Sequence, residues 1–445
     1  MNHCGKEVVV EEKEIDKISN LPKDIFNVIF KDLSIRELTK MCVLSKKWKH
    51  FSAMHPNLIL DEKFMEEIEY DFYNIVDNII LQHVGFIVKF VLNLSTIFCD
   101  HRNLDLWLLY VTKKDVKELT LNNYNHNPYT LPFDIFSCST LKHLDVINCI
   151  VNLPYPTTLF PNLHELKLEF ITFNPTIPNH VLNIPLLSTL SFTFCDGLHF
   201  LNIFAPKIEF LTIHESHEIR ADFFDNFSNI RVLCMVIFLE ESGNYEQGRF
   251  ITWSRLLCLC PNLTRLALSN ACIRLLGAEI ISKSFPSKLY HLEHVKLRVE
   301  IGDLNQVSSV FSLIRSSPSL RSLEIDVFNT MSTRSTNEVI HYLANPNCID
   351  QQFEKLDYVK LKEFEGTPCE LIFLKLMLVN SPSLSKLIVG PSNELDAAKV
   401  SSFREQLMMF LKASTQVELI VAPYGQNVYR MSARRWIQTF NSMSL

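Results

Sequence analysis

Glycine is scarce, with 10 in 445 residues against 32 phenylalanines. Loops that cradle phosphates need glycine wherever backbone N–H groups must come close to the ligand. Neither G-x-G-x-x-G nor G-x-x-x-x-G-K-[ST] occurs, so enzymes built on those loops are disfavoured. Paired cysteines are missing as well. Twelve cysteines are present, but none forms a C-x-x-C pair; the nearest two are Cys258 and Cys260. Zinc ribbons and RING-type sites close a tetrahedral shell with such pairs, so no metal or other cofactor is expected. Long basic runs are lacking too, and the net charge is -6, which argues against nucleic acid as a partner.

No apolar core of a secretory signal lies between Met1 and Lys17, a mostly charged stretch. The expectation is a cytoplasmic or nuclear protein with reduced thiols, whose sequons at Asn93, Asn226 and Asn262 go unused. The longest apolar stretch, Ile79 to Phe98, is interrupted by Gln82, His83, Lys89 and Asn93. It reads as buried structure, not as a membrane span.

What is present is a folded composition, 47% hydrophobic and 21% charged, in a chain too long for one ordinary core. Near the N-terminus, Leu21-Pro22-Lys23-Asp24-Ile25 opens a helical pattern. Proline suits the first helical position, and Asp24 faces the positive end of the dipole. Ile25, Ile29 and Leu33 form one apolar row, and Phe26 and Phe30 a second. Ser34-Ile35-Arg36-Glu37 is a capping box that starts a second helix with Leu38, Met41 and Cys42. Ser45 caps a short third helix with Trp48 and Phe51. Three helices this short bury little by themselves, and their surplus apolar surface calls for a partner.

The run L-P-x-x-I-x-x-x-I-F, then Glu37-Leu38 and Val43-Leu44-Ser45-Lys46-Lys47-Trp48, resembles an F-box over residues 16–58. That resemblance implies docking onto the Skp-type adaptor of a cullin-based ubiquitin ligase. It assigns the contact to Leu21, Pro22, Ile25, Ile29, Leu38, Leu44 and Trp48, some of which also serve the unit's own core.

The pattern L-x-x-L-x-L fills much of the remainder. Its copies begin at Val116, Leu141, Leu163, Leu187, Ile208, Ile230, Leu263, Leu292, Leu320, Leu356 and Leu384. Copies lie 21 to 25 residues apart up to Ile230 and 28 to 36 apart beyond it, against about 20–29 for leucine-rich repeats. The longer spacings leave room for helices or loops on the convex side. Each copy offers a short strand whose two inward residues find cover only by stacking on neighbours. Pro-Asn-Leu or Pro-Ser-Leu steps at Pro161, Pro261, Pro318 and Pro382 end one connection and extend the chain into the next strand. Ile87 to Leu94 reads as an entry strand.

From Leu356-Asp357-Tyr358 through Phe364-Glu365-Gly366 and Leu378-Val379-Asn380-Ser381 to Val421, the chain is similar to the FBD segment of plant F-box proteins with leucine-rich repeats. The fold expected is therefore α/β. A three-helix F-box precedes a solenoid with parallel strands on the concave face and helices or loops on the convex face, ending in the FBD segment. The divisions expected are a disordered charged tail (1–15), the F-box (16–58), a helical linker (59–85), repeats (86–350), the FBD segment (351–425) and a C-terminal tail (426–445).

Strict alternation points the residue between the last two leucines, and the one after them, out of the concave face. Among these outward positions, Lys296/Arg298, Glu324/Asp326 and Lys360/Lys362 alternate in sign on successive strands. They read as an exposed ladder that neutralises itself. The less charged early strands then form the expected recognition surface for a target protein: His143, Asp145, Ile147, Lys167, Glu169 and His214. Cys149 and Cys195 fall where this repeat class places Asn or Cys in a turn, a structural role. His214-Glu215-Ser216-His217 lacks the spacing of a zinc site, and no catalytic constellation stands out. Two functions remain: a non-catalytic recruiter in a ubiquitin ligase, or a scaffold that binds the adaptor without forming an active ligase.

Overall fold

A computed structural model of the chain describes residues 25, 33–41, 46–66, 71–95, 101, 103–152, 159–174, 181–198, 201–214, 227, 229–237, 256, 259–280, 288–328, 336–345, 348–349, 351–393, 395–411 and 417–421. The chain divides into two compact units, Met1–His126 and Asn127–Leu445.

In the first unit, helix α1 (Ile35–Met41) begins at the capping box the sequence announces. The Ser34 amide donates to Glu37 Oε2 at 2.8 Å, and the Glu37 amide donates back to Ser34 Oγ at 3.3 Å. Helix α2 (Lys46–Ala53) follows, then strand β1 (Asn57–Leu60), helices α3 (Glu62–Glu66) and α4 (Phe72–Gln82), strand β2 (Lys89–Leu94), helix α5 (Leu104–Thr112) and strand β3 (Glu118–Asn123). Strands β1, β2 and β3 are parallel neighbours, and Leu60, Leu92 and Leu121 share one buried row. Strand β1 spans the expected boundary between the F-box and the helical linker (59–85), and helices α3 and α4 follow it within that linker; the alternation of Leu58 and Leu60 is the strand's sign in the sequence. Helices α4 and α5 are joined by Asp77, which accepts from Trp107 Nε1 at 2.6 Å and from Asn103 Nδ2 at 2.9 Å.

The second unit opens with strand β4 (Tyr129–Thr130), helix α6 (Phe133–Ser137) and strand β5 (His143–Asn152). Then come β6 (Glu165–Asn174), β7 (Val181–Asn183), β8 (Thr189–Thr193), β9 (Asn202–Phe204), β10 (Phe210–His214), β11 (Val232–Val236) and β12 (Arg265–Leu268). Beyond β12 helices alternate with strands: α7 (Asn270–Ile280), β13 (His294–Val299), α8 (Leu304–Arg315), β14 (Ser322–Val327), α9 (Thr336–Ala344) and β15 (Tyr358–Phe364). The order ends with α10 (Pro368–Asn380), β16 (Lys386–Pro391), α11 (Ala397–Leu411) and β17 (Glu418–Val421). These helices fill the longer spacings of the later repeats.

From β5 to β17 each strand pairs in parallel with the next repeat's strand, while β7 and β9 pair apart. The register aligns Leu144, Leu166, Leu190, Leu211, Leu233, Leu266, Val295, Leu323, Val359 and Leu387, all buried. This is the stacked core that each copy of the motif requires.

The step before each strand acts as a tie between repeats. Asn162 Nδ2 donates to Ser139 O at 2.7 Å, Asn229 Nδ2 to Pro206 O at 2.6 Å and Ser383 Oγ to Glu354 O at 2.6 Å. Two of these donors directly follow a proline of the Pro-Asn-Leu and Pro-Ser-Leu steps.

Strict alternation ends one residue beyond the motif. Asn148, Phe170, Phe194 and Glu363 occupy equivalent positions with φ of 55°, 53°, 51° and 54°. A left-handed residue there inserts a bulge, and the register shifts between Leu361 and Phe364. Core parity flips as a result, which turns Cys149, Ile171, Cys195 and Phe364 inward, each buried to 0% exposure. Asparagine tolerates this conformation, while Phe170, Phe194 and Glu363 each carry strain of roughly 1–2 kcal/mol.

Candidate functional site

Two surfaces follow from this architecture. The first is the N-terminal helical segment. Ile25 is a large apolar side chain left 43% exposed, whereas Leu38 and Ile35 on α1 are buried at 5% and 8%. Of the residues expected to meet an adaptor, Ile25 is therefore presented to solvent and Leu38 serves the unit's own packing. Trp48 lies on α2, with its side chain outside the described residues. Leu21, Pro22, Ile29 and Leu44 also lie outside them.

The second surface is the outward face of the repeat sheet. On β5 and β6, His143 Nδ1 is 3.0 Å from Glu165 Oε2, and Lys167 Nζ is 2.5 Å from Glu165 Oε1. Burial pushes the Glu165 pKa up, but the bonds from Lys167 and His143 outweigh it and the pKa is lowered. Asp145 faces Lys167 across the ladder and Glu169 faces Ile147. His143, Asp145, Lys167 and Glu169 keep solvent access.

Ile147 and His214 do not. They are 7% and 1% exposed, which corrects their expected place on an open face. Phe194 leaves the end of β8 in the left-handed conformation and lies edge-on to His214, with ring centroids 5.0 Å apart. Burial lowers the His214 pKa to about 4, so the ring is neutral at physiological pH. The bulge also creates a feature that alternation did not foresee. Phe170, 48% exposed, stacks on Phe194 with centroids 4.8 Å apart and rings 4° from parallel.

The charged ladder keeps its predicted register but not its predicted exposure. Lys296 pairs with Glu324, Arg298 with Asp326, and Asp326 with Lys362. Lys296 is 1% exposed and Glu324 3%, so this is buried charge and not a solvated ladder. Lys362 Nζ reaches both carboxylates, 3.7 Å from Glu324 Oε2 and 3.6 Å from Asp326 Oδ1. Burial lowers the Lys296 pKa to about 8, against the opposing pull of Asp326.

Burial pushes the thiols of Cys149 and Cys195 up to about 12, so both stay protonated, consistent with packing and not with nucleophilic chemistry. Among the described residues no group of three or more His, Cys, Asp or Glu could hold a metal ion. No described helix is long and apolar enough to cross a membrane.

Comparison with known proteins adds the decisive observation. The F-box domain profile matches residues 18–60. The profile described as FBD-associated F-box protein At5g56370, LRR repeats, matches residues 104–325. The Arabidopsis thaliana F-box/FBD/LRR-repeat protein At1g13570 is 26% identical over 91% of this chain and 98% of its own length. The chain belongs to the F-box/FBD/LRR-repeat family. Two further Arabidopsis thaliana relatives extend along nearly the whole chain. The probable FBD-associated F-box protein At1g32375 is 23% identical over 90% of this chain and 99% of itself. The F-box/FBD/LRR-repeat protein At3g26920 is 23% identical over 94% and 98%. In this F-box/FBD/LRR-repeat chain the F-box match covers every residue expected at the adaptor contact, including the exposed Ile25.

Proposed function

We propose that this F-box/FBD/LRR-repeat protein is the substrate-recognition subunit of a Skp–cullin–F-box ubiquitin ligase. The F-box docks on the Skp-type adaptor and, through it, a cullin. The outward face of the repeats binds a target protein for ubiquitination. The observation that carries this reading is the union, in one chain, of an F-box match at residues 18–60 with a long parallel repeat sheet. In the proposal the chain supplies no catalytic residue. It raises the effective concentration of a target lysine near a conjugating enzyme held elsewhere in the complex. Work with a cullin-based ligase places it in the cytoplasm or nucleus, and residues 351–425 form its FBD segment.

Adaptor co-purification is the test. Replacing Leu21 and Pro22 together by Lys, or Ile25 alone by Lys, should abolish recovery of the adaptor and the cullin. Ile25 is exposed, so its substitution should leave the thermal unfolding profile unchanged. Adaptor binding undiminished by both changes would refute the docking assignment. Recovery of adaptor without cullin would reduce the protein to an adaptor-bound scaffold.

A further inference from the structure

On β6 and β8 the left-handed residue of the bulge is a phenylalanine. Phe170 and Phe194 follow the register pair Glu169–Thr193, so their rings stand side by side and stack. Phe194 covers one face of Phe170, yet Phe170 is still 48% exposed. The other face turns toward β5, on the far side of β6 from β8. There Asn148 continues the row, between the register pairs Ile147–Glu169 and Cys149–Ile171. Asparagine is too short to cover a phenyl ring. Phe173 and Phe192 nearby are turned into the core, whereas Phe170 and Phe194 form an aromatic platform on the outward face.

Negative charge prevails around the platform. Glu169 directly precedes Phe170, and Asp196 follows Phe194 by two residues, bridged to Thr172. Both act on Cys195, which adjoins Phe194: burial pushes its thiol up, and the Asp196 and Glu169 charges push the same way. The other charges on the outward face of β5, β6 and β8 are Asp145, Glu165 and Lys167, with His143 at the start of β5. Lys167 and His143 both contact Glu165. Four carboxylates therefore face one ammonium, and protonation of His143 would still leave the acids in excess. Lys142 and Lys207 precede β5 and β10, at the opposite ends of the strands. His214, against Phe194, adds no charge, because burial lowers its pKa to about 4. Among the described residues no cation lies over either ring. Farther along the sheet Arg298 lies over Phe328, 4.8 Å from the ring centroid, so a guanidinium does settle on a phenyl ring where the sequence provides one.

We propose that the Phe170–Phe194 platform binds the guanidinium of an arginine carried by the protein that the repeat sheet recruits. The proposal rests on the reading of that sheet as the target-binding face. The guanidinium lies flat on the open face of Phe170, where the ring quadrupole attracts a cation. Its N–H fork bonds to Glu169, the residue before Phe170, and Asp196 adds negative potential from beyond the stack. Phe194 backs the ring from the other side. Arginine fits better than lysine, whose compact and strongly hydrated ammonium cannot stack. An apolar or aromatic side chain would use the rings but leave the acids without a counter-charge.

The experiment uses the full chain and four fluorescent peptide libraries that differ only in a central arginine, citrulline, phenylalanine or glutamate, read by polarisation. Citrulline keeps the planar shape of arginine without its charge. The arginine library should bind about tenfold more tightly than the citrulline library, the scale of a cation on a ring assisted by a carboxylate. Phe170→Ala should remove that preference and Phe170→Trp should keep or increase it, a pattern that a packing role for the ring would not produce. Glu169→Gln/Asp196→Asn should weaken the preference about threefold and make the remainder less sensitive to salt. Unfolding midpoints should stay near that of wild type, since all three side chains keep solvent access. Equal binding of arginine and citrulline, tightest binding of phenylalanine, preference for glutamate, no binding by any library, or an arginine preference that survives Phe170→Ala would overturn the proposal. The docking assignment fails separately: Ile25→Lys should lose the adaptor yet keep the arginine preference, and Phe170→Ala should keep the adaptor.

Discussion

Lys362 Nζ lies 3.6 Å from Asp326 Oδ1 across the β14–β15 ladder, with the two side chains 15% and 14% exposed. The same ammonium reaches Glu324, so one lysine balances two carboxylates on the neighbouring strand. Lys362→Met keeps the apolar stem but strands both acids. The expected loss is roughly 2–3 kcal/mol, below the full cost of an isolated buried charge because Lys296 remains near. Thermal unfolding followed by circular dichroism measures it, and a midpoint equal to wild type would show that the pair contributes nothing.

Glu370 starts helix α10 with both halves of a capping box. Its Oε2 accepts from the Thr367 amide at 2.8 Å and the Glu365 amide at 3.1 Å, and its own amide donates to Thr367 Oγ1 at 3.4 Å. The side chain is fully buried. Glu370→Ala leaves two backbone donors without acceptors and should cost about 1–3 kcal/mol. Hydrogen exchange should quicken at Glu365 and Thr367 first; unchanged protection at both would contradict this.

Acid should loosen the repeat unit through His214. Its folded pKa, about 4, lies below the ordinary value of about 6.5, so the neutral ring is what the fold stabilises. That contribution is complete above pH ~6.5 and is lost as pH falls toward 4, reaching about 2 kcal/mol by pH 5. His55 and His83 in the first unit are lowered by burial too and act with the same sign. Unfolding midpoints at pH 7.5, 6 and 5 should fall less steeply for His214→Leu than for wild type. Parallel curves would remove His214 from the account.

Gly277 marks the close approach of α7 to α8. A Cβ added there would meet Ser309 Oγ at 2.8 Å and Asn305 O at 2.9 Å. The serine hydroxyl can rotate, but the backbone carbonyl cannot move without its helix. Alanine's better helix propensity gains about 1 kcal/mol, while overpacking costs about 1–3 kcal/mol, so Gly277→Ala should be destabilising on balance. A rise in the unfolding midpoint would show that the helices separate readily.

Much of the fold was legible because its determinants are local and periodic. The L-x-x-L-x-L copies set the strand register from Leu144 to Leu387, and the Ser34–Glu37 box set the start of α1. The entry strand was visible at Ile87 to Leu94, while β1 was hidden among helical signals. The side-chain ties from Asn162 and Ser383 explain steps that the sequence could only mark.

The sequence by itself determined which residues point inward within each L-x-x-L-x-L copy, since period two needs only the chain's own alternation and the demand of leucine for cover. It also determined the F-box, whose residues recur in a recognisable order. Only the tertiary structure decided which outward residues remain exposed. That depends on side chains from neighbouring repeats, such as Phe194 lying over His214. It depends as well on left-handed residues that reverse the alternation. Lys296 and Glu324 look like solvated charges in sequence and prove buried, because exposure is a property of the stacked sheet and not of any one strand.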